Sequence, residues 1–342
     1  MRNYSKIIAN FRRKKILVIG DILLDQYIFG SVSRISPEAP VPIILQEGKS
    51  TYTPGGSANV ANNLKALGAD VSLVGKVGAD AEGKILLKRL KEWKIDTEGV
   101  WGDRHFPTPI KTRIVAQNQQ IVRLDREIIW DSSDRQKNRA IYDFIEKQLK
   151  RFDAIIISDY GKGMISPRLI SEACSQAIAA GKIITVDPKV EHFGYYQGVT
   201  AITPNRKEAE NAIRNIKISH PNGKDLAVDR DQLSDRNIER AGQELLKFLR
   251  LESLLITLGE HGMCLFERDK KPHHIPTRAR EVYDVTGAGD TVIAVFTLAL
   301  TAGATKLAAA ELANFAAGVV VGHRGAVAIT PKELCSAVVR YG

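Results

Sequence analysis

Asp284-Val285-Thr286-Gly287-Ala288-Gly289-Asp290 sets two glycines between two carboxylates, directly before an apolar run at 291–299. Glycines so spaced let the backbone turn tightly and aim successive N–H groups outward at a helix start. There the orphan donors and the positive end of the helix dipole act together on an anion. A carboxylate at Asp290 sits where anion and donors would meet. It could take a proton from a hydroxyl while the backbone of Gly287, Ala288 and Gly289 holds charge building on a transferred phosphoryl group. The same heptad also reads as a turn closed by an N-cap aspartate. The rest of the chain has to decide.

The elements that would position this heptad follow from hydrophobic patterning. A strand over 281–285 leads into it. Near the start, Lys15–Gly20 is a short apolar run closed by glycine, as a strand buried in a parallel sheet is, and Asp21 and Asp25 follow on the loop at its carboxyl end. Those acids suit sugar hydroxyls, or caps. Pro54-Gly55-Gly56 is a glycine turn into an amphipathic helix that ends at Gly68. Gly55 and Gly56 allow a ligand close to the backbone, or close helix–sheet packing, and Asn59 in the first turn could bond a hydroxyl. Gly78 to Lys84 matches most of a phosphate-binding P-loop, but Ile85 stands where Ser or Thr should hold Mg²⁺, so the match reads as chance.

From about residue 130 strands and helices alternate. Helices are expected at 134–150, 166–180, 206–214 and 235–250, strands at 154–158, 183–186, 201–203 and 254–257, and a hairpin at 263–275. This is an α/β fold, a mostly parallel sheet with helices on both faces. The polar stretch 219–234 reads as a loop insertion. Proline-broken 35–42, a short strand at 41–46, and β-like runs at 110–116 and 120–124 depart from the rhythm. They predict a small separate sheet, a lid over a cleft, drawn from about 28–54 and 104–125. Asp159, Lys162, Asp187, Lys189, Asn205, Glu208, Thr257 and Gly259 all fall just after strands, at one end of the sheet.

Composition narrows the partners. Lys and Arg total 49 against 39 Asp and Glu, a formal charge of +10. The basic residues are scattered and aromatics make up only 6%, so stacking platforms for nucleic acid are poorly supported and an anionic small molecule fits better. The 3 cysteines are isolated, which argues against a disulfide framework. The first apolar run is too short for a signal sequence and nothing approaches a membrane span, so a cytoplasmic location without membrane association is expected.

Gly55-Gly-x-x-Asn59, Asn205-x-x-Glu208, Thr257-x-Gly259 and Asp284-x-x-Gly-x-Gly-Asp290 occur in an order that resembles the ribokinase-like (PfkB) carbohydrate kinases over nearly the whole chain. Within them the likeness is greatest to the D-glycero-β-D-manno-heptose-7-phosphate kinases of lipopolysaccharide-core precursor synthesis. It rests on Ser33-Arg-Ile-Ser-Pro-Glu-Ala-Pro-Val-Pro42, Asn118-Gln-Gln-x-x-Arg-Leu-Asp125, Ser158-Asp-Tyr-x-Lys-Gly163 and Val282 to Thr291.

The resemblance implies one three-layer α/β/α kinase domain over 1–342 with a β-sheet lid, using ATP and Mg²⁺. Asp290 would be the base for the anomeric hydroxyl, and Gly287, Ala288 and Gly289 the anion hole. Asn205 and Glu208 would organise Mg²⁺ through water. Thr257, Gly259 and Asn314 would line the nucleotide pocket. Asp25, Asn59, Gly55 and Gly56 would bind the sugar, and Arg113, Arg123 and Lys162 its phosphate, with Lys111 and Lys189 as further candidates. Asp284 and Thr286 match positions that hold a monovalent cation such as K⁺ in some relatives, and lids of this kind often pair across a two-fold to make homodimers. Many relatives fuse a nucleotidyltransferase domain carrying H-x-G-H. That motif does not occur here, so kinase activity alone is expected. The competing expectations are a ribokinase-like kinase for a hexose phosphate or nucleoside, and a silent sugar-phosphate sensor.

Overall fold

The structure is a computed structural model describing residues 4–117, 119–219, 235–279 and 281–341. The insertion expected at 219–234 lies outside the described residues except for Ser219, as does Asn118 in the small-sheet turn. In chain order the elements begin α1 (Tyr4–Ala9), β1 (Lys15–Gly20), β2 (Ile22–Ile35), β3 (Pro42–Gln46), β4 (Thr51–Gly56), α2 (Ser57–Ala66), β5 (Asp70–Gly78) and α3 (Ala81–Glu92). Next come β6 (Asp96–Asp103), β7 (Ile110–Ala116), β8 (Gln119–Arg126), α4 (Arg139–Gln148), β9 (Ala154–Ser158), α5 (Pro167–Ala179), β10 (Ile183–Asp187) and β11 (Ala201–Ile202). The last are α6 (Arg206–Ser219), α7 (Asp235–Phe248), β12 (Ser253–Thr257), β13 (Met263–Glu267), β14 (His273–Ile275), α8 (Ala288–Thr301), α9 (Lys306–Val320) and α10 (Pro331–Tyr341).

The main sheet has nine strands in the order β14-β13-β12-β11-β10-β9-β1-β5-β6. All neighbours from β12 to β6 run parallel, and only the β12–β13 and β13–β14 pairs are antiparallel. Its central strands β1 and β9 are buried at all but one position, Lys15, because both faces are covered. Ile16 and Val18 of β1 pack with residues of α1, α2, α3, α8, α9 and α10, while Leu17 and Ile19 pack with α4 to α7. The period of two along a strand sends alternate side chains into two cores, which makes three layers.

The second sheet runs β3-β2-β7-β8, with β4 also paired to β2. Its spine is the fourteen-residue β2, antiparallel to β4 over its first half and to β3 over its second, and parallel to β7 along the other edge. β8 is exposed throughout.

Several local expectations are corrected. Asp25 is not on a loop but inside β2, and Gly55 and Gly56 end β4 rather than forming a turn, paired with Leu23 and Ile22. β1 passes into β2 across Asp21 alone, a continuity no local pattern signals because the partners of β2 lie far along the chain. Residues 281–285 form no strand. Val282, Tyr283 and Val285 are exposed, and Tyr283 and Asp284 donate their backbone N–H to the Val321 carbonyl beyond α9. Their β-branched and aromatic types suit a strand, but no neighbouring strand is there to pair. The helix expected from 134 begins at Arg139. The P-loop-like segment ends β5 and opens α3, and Asp80 fills that helix start with its own carboxylate, accepting from the Gly83 N–H at 2.8 Å.

Candidate active site

The parallel strands end in polar residues on one side of the sheet, Asp21 after β1, Asp159 and Tyr160 after β9, Asp187 closing β10, Asn205 after β11 and Thr257 closing β12. An isolated parallel bridge ties Asn205 to Thr257. Over this edge comes the start of α8, a helix buried from Asp290 to Ala299. Its N-cap, Gly287, has φ +78°, and a Cβ there would lie 2.6 Å from Asn59 Nδ2. No other residue type reaches that conformation without strain.

Asp290 is 5% exposed, and both its oxygens are held. Asn59 Nδ2 donates to Oδ2 at 2.7 Å and Tyr160 Oη to Oδ1 at 2.6 Å. Burial pushes its carboxyl up to about 6, against the pull of those two donors. Thus Asn59, expected on a sugar hydroxyl, spends its amide N–H on Asp290. Its Oδ1 is buried with no partner among the described residues. Ala288 turns its own N–H back to Val285 O at 3.2 Å, so Gly289 and Asp290 supply the outward donors of the first turn.

More carboxylates surround Asp290. Asp187 is pushed well above the usual range by burial and by neighbouring Asp290, Glu208 and Asp159. Burial also raises Glu208. Asn205 and Glu208 bond reciprocally, Asn205 N–H to Glu208 Oε2 at 2.8 Å and Glu208 N–H to Asn205 Oδ1 at 3.0 Å, a capping box that opens α6. A knot of oxygen ligands repelling one another is relieved by a hard cation, so Asp187, Asn205 and Glu208 fit Mg²⁺ held through water. Among the described residues no cluster of three His, Cys, Asp or Glu is close enough to bind a metal directly.

The small sheet brings the cations. Asp25 and Arg113 form a largely buried ion pair. A Cβ on Gly55 would strike Asp25 Oδ2 at 2.2 Å, so glycine there lets the β4 backbone press against this carboxylate. Lys111 and Arg113 alternate along β7, with Arg123 of β8 directly opposite Arg113, and burial lowers the Lys111 ammonium, opposed by Asp25 and joined by Lys162 and Arg123. Lys162 reaches Glu127 at 2.6 Å, and Arg123 is held by Asp125 in the same strand at 2.8 and 3.0 Å.

The remaining expected residues are tied locally. Asp284 accepts from Thr286 N–H at 2.9 Å and Gly325 N–H at 3.0 Å. Gly259 has φ +61°. Asn314 is buried and donates to Pro276 O at 2.7 Å, which fixes the segment after β14. Tyr160 joins the site although no motif spacing singles it out, only its place in the Ser158-Asp-Tyr segment. Asp21, expected as a cap or sugar contact, does something else. It is in fact the centre of a loop, accepting from the N–H groups of Tyr160, Lys162 and Met164 at 2.8, 3.0 and 3.0 Å.

The sequence profile of the pfkB family carbohydrate kinases matches residues 13–333. The chain belongs to that family. It is therefore a phosphotransferase with an alcohol group as acceptor. It is 42% identical over 97% of its length to the Bifunctional protein HldE of Desulfatibacillum aliphaticivorans, and 44% identical over 97% to that of Geobacter metallireducens. The chain spans 64% of the length of each of these two relatives. In fold it matches Arabidopsis thaliana ribokinase complexed with ribose and ATP, at TM-score 0.71 and 18% identity over 96% of this chain and 99% of that one. It likewise matches Escherichia coli phosphofructokinase-2 in complex with potassium, at TM-score 0.74 and 15% identity over the same shares. The three-layer ribokinase-like fold is thus the fold of this chain. No helix among the described residues is long and apolar enough to cross a membrane.

Proposed function

We propose that the chain transfers the γ-phosphoryl group of ATP to the anomeric hydroxyl of D-glycero-β-D-manno-heptose 7-phosphate, giving the 1,7-bisphosphate and ADP. The observation that carries this is a buried carboxylate, Asp290, at the start of α8, near which Lys111 of β7 and Arg123 of β8 in the small sheet and Lys162 of the loop after β9 supply positive charge. A base with cations near it suits an acceptor with a hydroxyl at one end and a phosphate at the other. The sugar itself is suggested by the segments resembling heptose-7-phosphate kinases, of which 33–42 forms the tip joining β2 to β3.

In this reading Asp290 takes the hydroxyl proton and the first turn of α8 meets the transferred group. Asn59 Oδ1 and Asp25 accept from sugar hydroxyls, Gly55 and Gly56 let the sugar approach, and Arg113 orients Asp25 rather than gripping the phosphate. Thr257, Gly259 and Asn314 border the adenine side, and Lys189 faces the triphosphate. Mg²⁺ at Asp187, Asn205 and Glu208, when bound, neutralises charge on the triphosphate. Asp284 and Thr286 would frame a K⁺ site, which a comparison of K⁺ with Na⁺ in the assay tests. The small sheet acts as the lid of a single domain. Its exposed Ile35, Val41, Leu45, Val122 and Leu124 suit pairing with a second copy in a homodimer, measurable by light scattering. We place the enzyme in the cytoplasm, where ATP and sugar phosphates are found.

The deciding assay is ADP release with Mg-ATP against heptose 7-phosphate, fructose 6-phosphate, fructose 1-phosphate, ribose and adenosine, for the native chain and Asp290→Asn. Turnover confined to heptose 7-phosphate and lost in the variant is expected. Turnover of another sugar overturns the substrate, and binding without turnover overturns the kinase.

A further inference from the structure

The geometry points to Tyr160 as the positioning residue of the base: its phenol O–H, aimed by Asp21, fixes Asp290 Oδ1 and keeps the carboxylate in its proton-accepting form. This rests on the reading of Asp290 as base. Three observations converge on it.

The first is the hydrogen bond itself. Tyr160 Oη lies 2.6 Å from Asp290 Oδ1, and with Asn59 on Oδ2 the carboxylate plane is set from both sides. The second is the mounting of the ring. Asp21 gathers the N–H groups of three alternate loop residues, Tyr160, Lys162 and Met164, so the side chain of Tyr160 leaves a loop that is pinned rather than free. The third is Lys111, whose Nζ sits 5.4 Å from the centre of the Tyr160 ring. A cation over the ring draws electron density from it and makes the phenol a better donor. The small sheet thereby reaches the base through Tyr160, without touching it.

A carboxylate buried among others needs such help. The groups facing Asp290 are Asp25 from β2 and Asp187 from β10, which oppose its charge, and Lys111 from β7, Tyr160 after β9 and Asn59 from α2, which favour it. The phenol is pushed well above its ordinary range by burial and by Asp290, so it stays a donor throughout the working pH range. A hydrogen bond donated to the charged form favours that form, and its removal raises the carboxyl.

The test is a ¹³C-carboxyl NMR titration of Asp290 in the full chain. It is run on the native protein, on Tyr160→Phe, and on protein carrying 3-fluorotyrosine at position 160. We expect Tyr160→Phe to move the midpoint up by about one pH unit or more. The fluorinated phenol, a stronger donor of the same shape, should move it down. Opposite shifts cannot come from a packing defect. A midpoint that stays put in both overturns the proposal. In kinetics, the acid limb of kcat should shift with the NMR midpoint while KM for ATP holds. A uniform loss at every pH, with the limb in place, would make the tyrosine merely structural. Because the titration needs no substrate, it stands even if the panel above shows no sugar kinase activity.

Discussion

The two sheets bring different mixtures of charge to the site, chiefly buried acids at the edge of the main sheet, with Lys162 and Lys189 beside them, and chiefly cations on the small sheet, with Asp25 among them. At the carboxyl edge of the main sheet Asp21, Asp187 and Asp290 are sunk in protein, and burial raises all three. On the small sheet Arg123 lies on a strand exposed at every position and Lys111 is partly covered, while Arg113 is largely buried against Asp25. The buried acids are mounted at the edge of the sheet covered on both faces, at a cost in stability. In the proposed reading, Lys111 and Arg123, which would meet the acceptor's phosphate, ride on the more open one. Substitutions should therefore behave differently on the two sides: on the acid side large losses of rate with gains in stability, on the cation side changes in affinity.

Asp290→Asn is the sharpest way to break that contrast. Loss of the base should lower kcat by about 10³-fold, with little change in either KM. The same variant should be more stable at neutral pH. A carboxyl raised from 3.8 to about 6 is protonated in folded and unfolded chains alike at low pH and costs nothing there. As pH climbs through this window the unfolded chain ionises first and stability falls, by about 3 kcal/mol in all. Thermal melts should show the variant ahead at pH 7 and level at pH 3.5. A native protein more stable than the variant at pH 7 would mean that the hydrogen bonds from Asn59 and Tyr160 outweigh burial.

Gly287→Ala comes next, on the same side. The φ of +78° and the approach to Asn59 Nδ2 leave no room for a methyl group. Asn59 must yield, and the base it holds yields with it. We expect kcat to fall by roughly 10²-fold, with nucleotide affinity retained. A loss confined to ATP binding would place the turn in nucleotide recognition instead.

What the sequence let one foresee divides along the same line. The main sheet was legible because its strands are short apolar runs between glycines and acids, such as Ile16 to Ile19 and Ile155 to Ile157, and burial on both faces demands that pattern. The helix start at the glycine heptad was legible because glycines directly before a long apolar run favour a turn into a helix, and α8 begins there, at Ala288. The course of β2 was not. Its register depends on β4 and β7, and Asp25 inside it looks like any loop acid until those strands arrive. Tyr160 was hidden for a similar reason. Its hydroxyl meets Asp290 across 130 positions of chain, a relation that no spacing encodes. The stretch 281–285 had the residue types of a strand and lacked only a neighbour, which is a tertiary fact.

On the cation side, Arg113→Met should raise the acceptor KM by about tenfold or more. Removing Arg113 leaves Asp25 buried and unpaired, which costs about 3 kcal/mol, so this variant should also melt early. Arg113→Met with Asp25→Asn should recover much of the stability and none of the affinity. Equal losses in both variants would show that Asp25 is not strained by the missing partner.

Arg123→Ala has the smallest expected effect and isolates the open sheet best. Arg123 is about half exposed and its ion pair with Asp125, two residues away in the same strand, spans no tertiary contact. Such pairs contribute little, so the melting point should hardly move. The charge still acts together with Lys111 and Lys162, where the proposed reading puts the acceptor's phosphate. The acceptor KM should therefore rise by roughly threefold to tenfold with kcat intact, and the difference from the native enzyme should narrow as salt screens the exposed guanidinium. The same variant assayed with a non-phosphorylated sugar should show no change, because the interaction it removes has no partner there. A fall in kcat with KM unchanged would instead move Arg123 from substrate capture to the transfer step, and the division of labour between the two sheets would fail at its most exposed point.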